Sequence, residues 1–255
     1  MRLLIKLLCT ESGPYEFQYH YHLQAFIYNL LRDSKYQHLH NKAGYKYFCF
    51  SNIFPATRIN ENDIRTFVIS SPDSQFISFL LDSVVTSNYK IKIGRMKFKI
   101  DSASKLDVKI PTNLPFCLIT GTPIIIRISR EKYKEYGIEP SKNYDYLYWR
   151  TEHPIELFMS QIKNNLLKKY NEYFGLDDYG WRSNDMNSFP LFQKFKFKKQ
   201  ISTKVVMKNT EQTIIGTLWE FEFEGWENRK LIQFALDTGL GERNSLGFGF
   251  MNVRY

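Results

Sequence analysis

Cysteine is scarce in this chain. Cys9, Cys49 and Cys117 are the only three in 255 residues, and no two form a Cys-x-x-Cys pair. That speaks against a disulfide framework and a cysteine zinc site, and it suits a reducing, cytoplasmic setting. Long apolar runs are missing too. None approaches the ~20 residues of a membrane helix, so no membrane partner is expected. The opening MRLLIKLLC is broken by Lys6 and followed by no small-residue cleavage site, so it reads as a strand rather than a signal peptide. Acidic residues are in deficit, 26 against 35 Lys and Arg, leaving a net charge of +9. A basic surplus of that size favours an anionic partner such as nucleic acid.

The chain has ample material for a core, at 43% hydrophobic and 16% aromatic residues. Arg2–Cys9 reads as a strand and Phe17–Arg32 as a helix, with Leu23, Phe26, Ile27, Leu30 and Leu31 at helical spacing. A polar segment, Asp33–Lys46, precedes strands at Tyr47–Phe54 and Thr66–Ser70 and a helix at Ser74–Ser87. Lys90–Ile100 alternates basic and apolar residues with a slip at Gly94, which reads as one strand with a β-bulge. Two prolines and no periodicity between Asp107 and Pro115 mark a boundary. The expected domains are residues 1–110 and 111–255. The second half gives a strand at Phe116–Ser129, broken at Gly121–Pro123, and a helix at Ile155–Phe174. Strands at Leu191–Lys208 and Thr213–Phe223, a helix at Asn228–Asp237 and a strand at Phe248–Arg254 complete it. Each half thus runs strand, helix, strand, strand, helix, strand. The fold class expected is α+β, with two tandem ferredoxin-like (RRM-like) domains.

One stretch carries the strongest signal: GLGERNSLGFGFMNVRY, Gly239 to Tyr255. It matches neither a phosphate loop, which needs a Lys after the last glycine, nor a dinucleotide fingerprint, which runs from strand into helix. This loop leaves a helix and enters a strand. A backbone cradle for RNA is the remaining ligand reading, with Arg243 and Asn244 at its tip. The sequence here resembles the CRISPR-associated endoribonucleases of the RAMP superfamily, the Cas six type. Gly239, Gly241, Gly247 and Gly249 match that family's C-terminal glycine-rich loop.

The resemblance implies cleavage of CRISPR precursor RNA within its repeats, with no metal and no cofactor. The ribose 2′-OH attacks the adjacent phosphorus, leaving a 2′,3′-cyclic phosphate and a 5′-OH. It also implies a histidine just after the first helix, where this chain has Gln37-His38-Leu39-His40-Asn41. His40 is expected as the main catalytic group, with His38 as its partner. If the segment is extended, both rings face one phosphate. If it is helical they diverge by about 200° and one acts. Tyr47 and Lys46 are the expected supporting groups, and Lys42 is placed on the RNA. Tyr28 is the weaker candidate, on a helix where core packing is its commoner role. His20 and His22 form another His-x-His, but they lie in the expected first helix and point to different sides; His153, before a proline at a helix start, reads as structural. Leu191–Lys208 holds six lysines and no acid, so Lys194, Lys196, Lys198 and Lys199 are expected on the RNA backbone. The partner expected is repeat RNA, with effector-complex subunits and a second copy of the chain as further ones. The alternatives are a non-catalytic RNA-binding relative and a structural subunit of an effector complex.

Overall fold

Leu3, Ile5, Leu7 and Cys9 alternate with Leu4, Lys6 and Leu8, and all four are fully buried in the computed structural model of the chain. Residues 1–87, 90–140, 142, 144–176, 191–207, 210–225 and 228–254 are described. The alternation makes Arg2–Cys9 a half-buried strand, β1. Helix α1 (His20–Leu30), β2 (Cys49–Phe50), β3 (Ile64–Ser70) and α2 (Ser74–Thr86) follow. Asp73 caps α2 by accepting from the N–H groups of Gln75 and Phe76. A hairpin of β4 (Ile91–Ile93) and β5 (Met96–Leu106) completes the first sheet, whose order is β2-β3-β1-β5-β4. Its first four strands have the ferredoxin-like order, and β4 is an added edge.

The second half repeats that plan. It comprises β6 (Phe116–Thr120), α3 (Ile155–Phe174), the long strands β9 (Lys194–Met207) and β10 (Thr210–Phe223), α4 (Arg229–Thr238) and β11 (Met251–Arg254). Its sheet runs β11-β6-β10-β9. A two-stranded sheet, β7 (Arg127–Ser129) with β8 (Tyr146–Tyr148), is inserted between β6 and α3.

Three expectations change. Lys90–Ile100 is not one bulged strand: Ile91 pairs with Phe98 and Ile93 with Met96, so the chain reverses at Gly94. Gly94 takes φ +61°, which a two-residue turn needs and a side chain disfavours. The slip in the alternation is the turn itself. Tyr47–Phe54 yields only the two residues of β2, because Tyr47 at φ +52° cannot continue a strand. Phe116–Ser129 does break after Thr120, but its second piece leaves the sheet to pair with β8. Lys208, at the end of the basic strand read from sequence, lies outside the described residues.

Each sheet packs its own apolar core. A third, smaller core of Ile125, Val205, Ile214, Leu246 and Phe248 takes Tyr21 of α1 against it and so joins the halves. Arg2 of β1 also crosses over, donating to the Asn252 side chain (2.8 Å) and to the carbonyls of Leu236 and Met251. Its guanidinium lies over the Phe250 ring. Among the described residues no helix is long and apolar enough to cross a membrane.

Candidate active site

The glycine-rich loop is wedged between the two halves. All four glycines are buried with positive φ. At Gly247 (φ +86°) a Cβ would sit in the Phe50 ring, and at Gly249 (φ +73°) on the Leu240 carbonyl oxygen. Both positions therefore need glycine for close approach within the protein. The loop is tied to α1 as well. Gln24 donates to the Ser245 carbonyl (2.8 Å), and His20 Nδ1 meets the Leu246 carbonyl (3.0 Å). His20 stacks between Tyr19 and Phe248, and burial lowers its pKa to about 4. It is a core histidine. His22 is exposed. His153 accepts from the Arg150 N–H (3.1 Å), and burial lowers its pKa.

Beneath the loop lies Lys169 of α3, only 1% exposed. Its ammonium donates to the carbonyls of Gly239 (2.6 Å) and Gly241 (3.3 Å) and to Asn244 Oδ1 (2.9 Å). The other end of that amide donates to the carbonyls of Leu240 and Phe248, both at 3.0 Å. Burial pushes the Lys169 pKa down to about 7, with Cys49 and Glu242 pulling the other way. Sequence reading missed Lys169 as a site residue. The available signal was its place in the apolar stripe of Phe158, Ile162 and Leu166, where a lysine needs a partner.

A cleft of about 530 Å³ opens between the loop at Tyr45–Phe48, the α3 side chains Asn165 and Lys169, and the turn Gly241–Ser245. Lys46, Arg127 and Arg243 bring positive charge to it. Arg127 is ion-paired with Glu242, and Arg243 donates to Gln212 (3.3 Å). The backbone N–H groups of Gly241, Arg243, Asn244 and Ser245 have no backbone partner among the described residues. Unpaired backbone donors beside cationic side chains are the elements from which anion sites are built.

His40 is joined to this cleft through Lys46, which lines it. The segment Gln37–His40 is a 3₁₀ turn, so His38 and His40 point about 120° apart. The His40 ring meets the Tyr28 ring edge-on at 5.2 Å. Lys46 Nζ donates to Tyr28 OH (2.8 Å) and to the His40 carbonyl (3.2 Å). Burial lowers the Lys46 pKa. It raises that of Tyr28 to about 12, partly offset by a hydrogen bond with Ser245. Tyr28, His40 and Lys46 thus form one cluster touching the glycine-rich loop. His40 Nδ1 is held by Asn41 Oδ1 (2.7 Å). With that oxygen accepting, Nδ1 carries a hydrogen and Nε2 is the ring atom left without a protein partner among the described residues. His38 instead meets the Lys35 carbonyl (2.7 Å) and lines a neighbouring hollow with Lys42, Tyr47 and Glu172. There Tyr47 OH donates to Glu172 (2.5 Å), and Lys42 reaches the same oxygen (3.4 Å). Burial raises the Tyr47 pKa, and Glu172 adds to the shift.

The lysines of β9 are not an uncompensated row. Lys194 pairs with Glu222 (2.9 Å) and Glu224 (2.5 Å), and Lys198 with Glu220 (2.9 Å). The acids lie on and just past β10, so a count confined to one strand could not see them. Lys196 and Lys199 form no ion pair among the described residues.

Comparison with known proteins follows this geometry. The family model described as CRISPR associated protein Cas6, C-terminal, matches residues 108–253, and the one described as CRISPR-associated protein Cas6, N-terminal, matches residues 14–104. The chain is 28% identical over 265 residues to CRISPR-associated endoribonuclease Cas6 2 of Methanocaldococcus jannaschii, covering 99% of both chains. It is 29% identical over 257 residues to CRISPR-associated endoribonuclease Cas6 of Haloferax mediterranei, covering 99% of this chain and 93% of that one. Among solved structures, one described as a RAMP protein binding different RNA substrates superimposes with a TM-score of 0.72 at 22% identity, over 100% of both chains.

Proposed function

Since the chain belongs to the Cas6 family of CRISPR-associated proteins, we propose that it is an endoribonuclease that cuts CRISPR precursor RNA within its repeats. The observation that carries this reading is the Tyr28–His40–Lys46 cluster, whose Lys46 lines a basic cleft. The reaction is attack of a ribose 2′-OH on the adjacent phosphorus. The P–O5′ bond breaks as the 2′-O–P bond forms, giving a 2′,3′-cyclic phosphate and a 5′-OH. His40 Nε2 moves a proton at one of the two oxygens. Lys46 offers positive charge to the phosphorane, where a fixed donor is worth most. Tyr28, its pKa at about 12, stays a neutral hydroxyl and orients Lys46 and the sugar edge. The free N–H groups of Gly241 and Arg243–Ser245 hold the neighbouring phosphate. His38, turned toward Lys35, takes no part.

The test is incubation with repeat RNA in EDTA, beside copies carrying a single 2′-deoxyribose. Cleavage to a cyclic-phosphate end, blocked at one deoxy position, is expected. Strict metal dependence would refute the mechanism. Tight binding without cleavage would leave an RNA-holding relative.

A further inference from the structure

Asn165 lies on α3 one turn before Lys169 and lines the cleft. Its Oδ1 is buried and accepts no hydrogen bond. Natural folds rarely leave a buried acceptor unpaired, because its lost water contacts are not replaced. Two polar neighbours on the cleft wall are already committed. The Lys169 ammonium is taken up by Gly239, Gly241 and Asn244, and the Asn244 amide is bonded at both ends. A buried, unpaired acceptor on a cleft-lining side chain suits a donor that comes with a ligand, once the amide turns to meet it. Tyr45 adds an aromatic ring to the same cleft, beside the cationic heads of Lys46, Arg127 and Arg243. The volume of about 530 Å³ suits one nucleotide rather than a duplex.

We propose that the cleft takes a single unstacked adenine of the RNA substrate and that Asn165 reads it. The amide oxygen accepts from the N6 amine and the amide nitrogen donates to N7, side by side as an Asn–adenine pair requires. Tyr45 offers the stacking face, and a purine covers more of it than a pyrimidine does. The inference rests on the endoribonuclease reading above and adds a base preference next to the scissile bond.

The probes are twelve-nucleotide oligomers of adenosine, of uridine and of purine riboside, which is adenosine without its amine. Binding is measured on the full chain carrying His40→Ala, so that nothing is cut. Oligo(A) should bind at least ~10-fold tighter than the other two. Adding Asn165→Ala should shrink that preference below about 3-fold while leaving oligo(U) affinity within about 2-fold. The free Asn165→Ala protein should also melt higher, since it sheds an unpaired buried oxygen. An adenine preference that survives Asn165→Ala would overturn the inference. So would a lower melting point, which would assign the oxygen to an internal partner such as Gln161, whose Nε2 is also buried and unpaired one turn earlier. Binding of all three probes without preference would remove the adenine and leave the endoribonuclease standing. Binding of none at low salt would remove both.

Discussion

At the scale of single residues, His40 and Lys169 do different work, and their variants should separate. His40→Ala should slow single-turnover cleavage by roughly 10²–10⁴-fold, the usual worth of a positioned proton transfer, with RNA affinity nearly unchanged. Unchanged cleavage would remove His40 from the site. Lys169→Met keeps the length of the side chain but leaves two buried carbonyls and the part-buried Asn244 amide oxygen without their donor. It should cost about 3 kcal/mol in urea unfolding. These two residues also mark what the sequence could tell. His40 and Lys46 were readable because they lie close together in the chain and near the place that the glycine-rich resemblance implies. Tyr28 sits among core residues of α1, and its hydroxyl looks structural until Lys46 is seen 2.8 Å away. Lys169 was not readable as a site residue, because its three acceptors lie 70 to 75 residues further on.

At the scale of elements, the join between α1 and the glycine-rich loop should be sensitive to acid. His20 is neutral in the fold down to about pH 4, whereas the unfolded chain takes a proton below about 6.5. Between those values the unfolded state binds more protons, so stability falls as pH falls through that window. The loss amounts to about 3 kcal/mol. His20→Phe keeps the ring stack and removes the titration. Its unfolding free energy should be flat from pH 6.5 to 4 where the parent's declines. The β9–β10 hairpin makes a second prediction. Lys194 is already neutralised by two glutamates, whereas Lys196 and Lys199 are not. Lys196→Ala or Lys199→Ala should reduce the salt slope of RNA binding by roughly one each, and Lys194→Ala should leave it unchanged. An equal effect at all three would mean that RNA strips Lys194 from its glutamates. Helices and long strands were legible here through spacing. The Gly94 turn was not, because one slipped residue looks alike in a bulge and in a tight hairpin. The β7–β8 insertion was hidden in an apolar run whose second piece pairs outside the main sheet.

At the scale of the whole molecule, the repeated element order was visible in the sequence, but the seam between the halves was not. Arg2 and Gln24 reach across it to partners more than 220 residues away, and Tyr21 packs on the third core there. All four tryptophans lie beyond residue 148, so their fluorescence reports on the second half alone, while circular dichroism reports on both. If the seam couples the halves, the two signals should give one urea midpoint. Two midpoints would show that each half unfolds on its own. The position of the glycine-rich loop on that seam also bears on how the protein is made. His40 leaves the ribosome early, when the N–H groups of Gly241 to Ser245 and the Lys169 clamp do not yet exist. The cleft gains its wall at Gly241–Ser245 only after about two hundred further residues have been made. A chain truncated before that loop should therefore fold its first half around His40 and yet lack the proposed phosphate-holding wall.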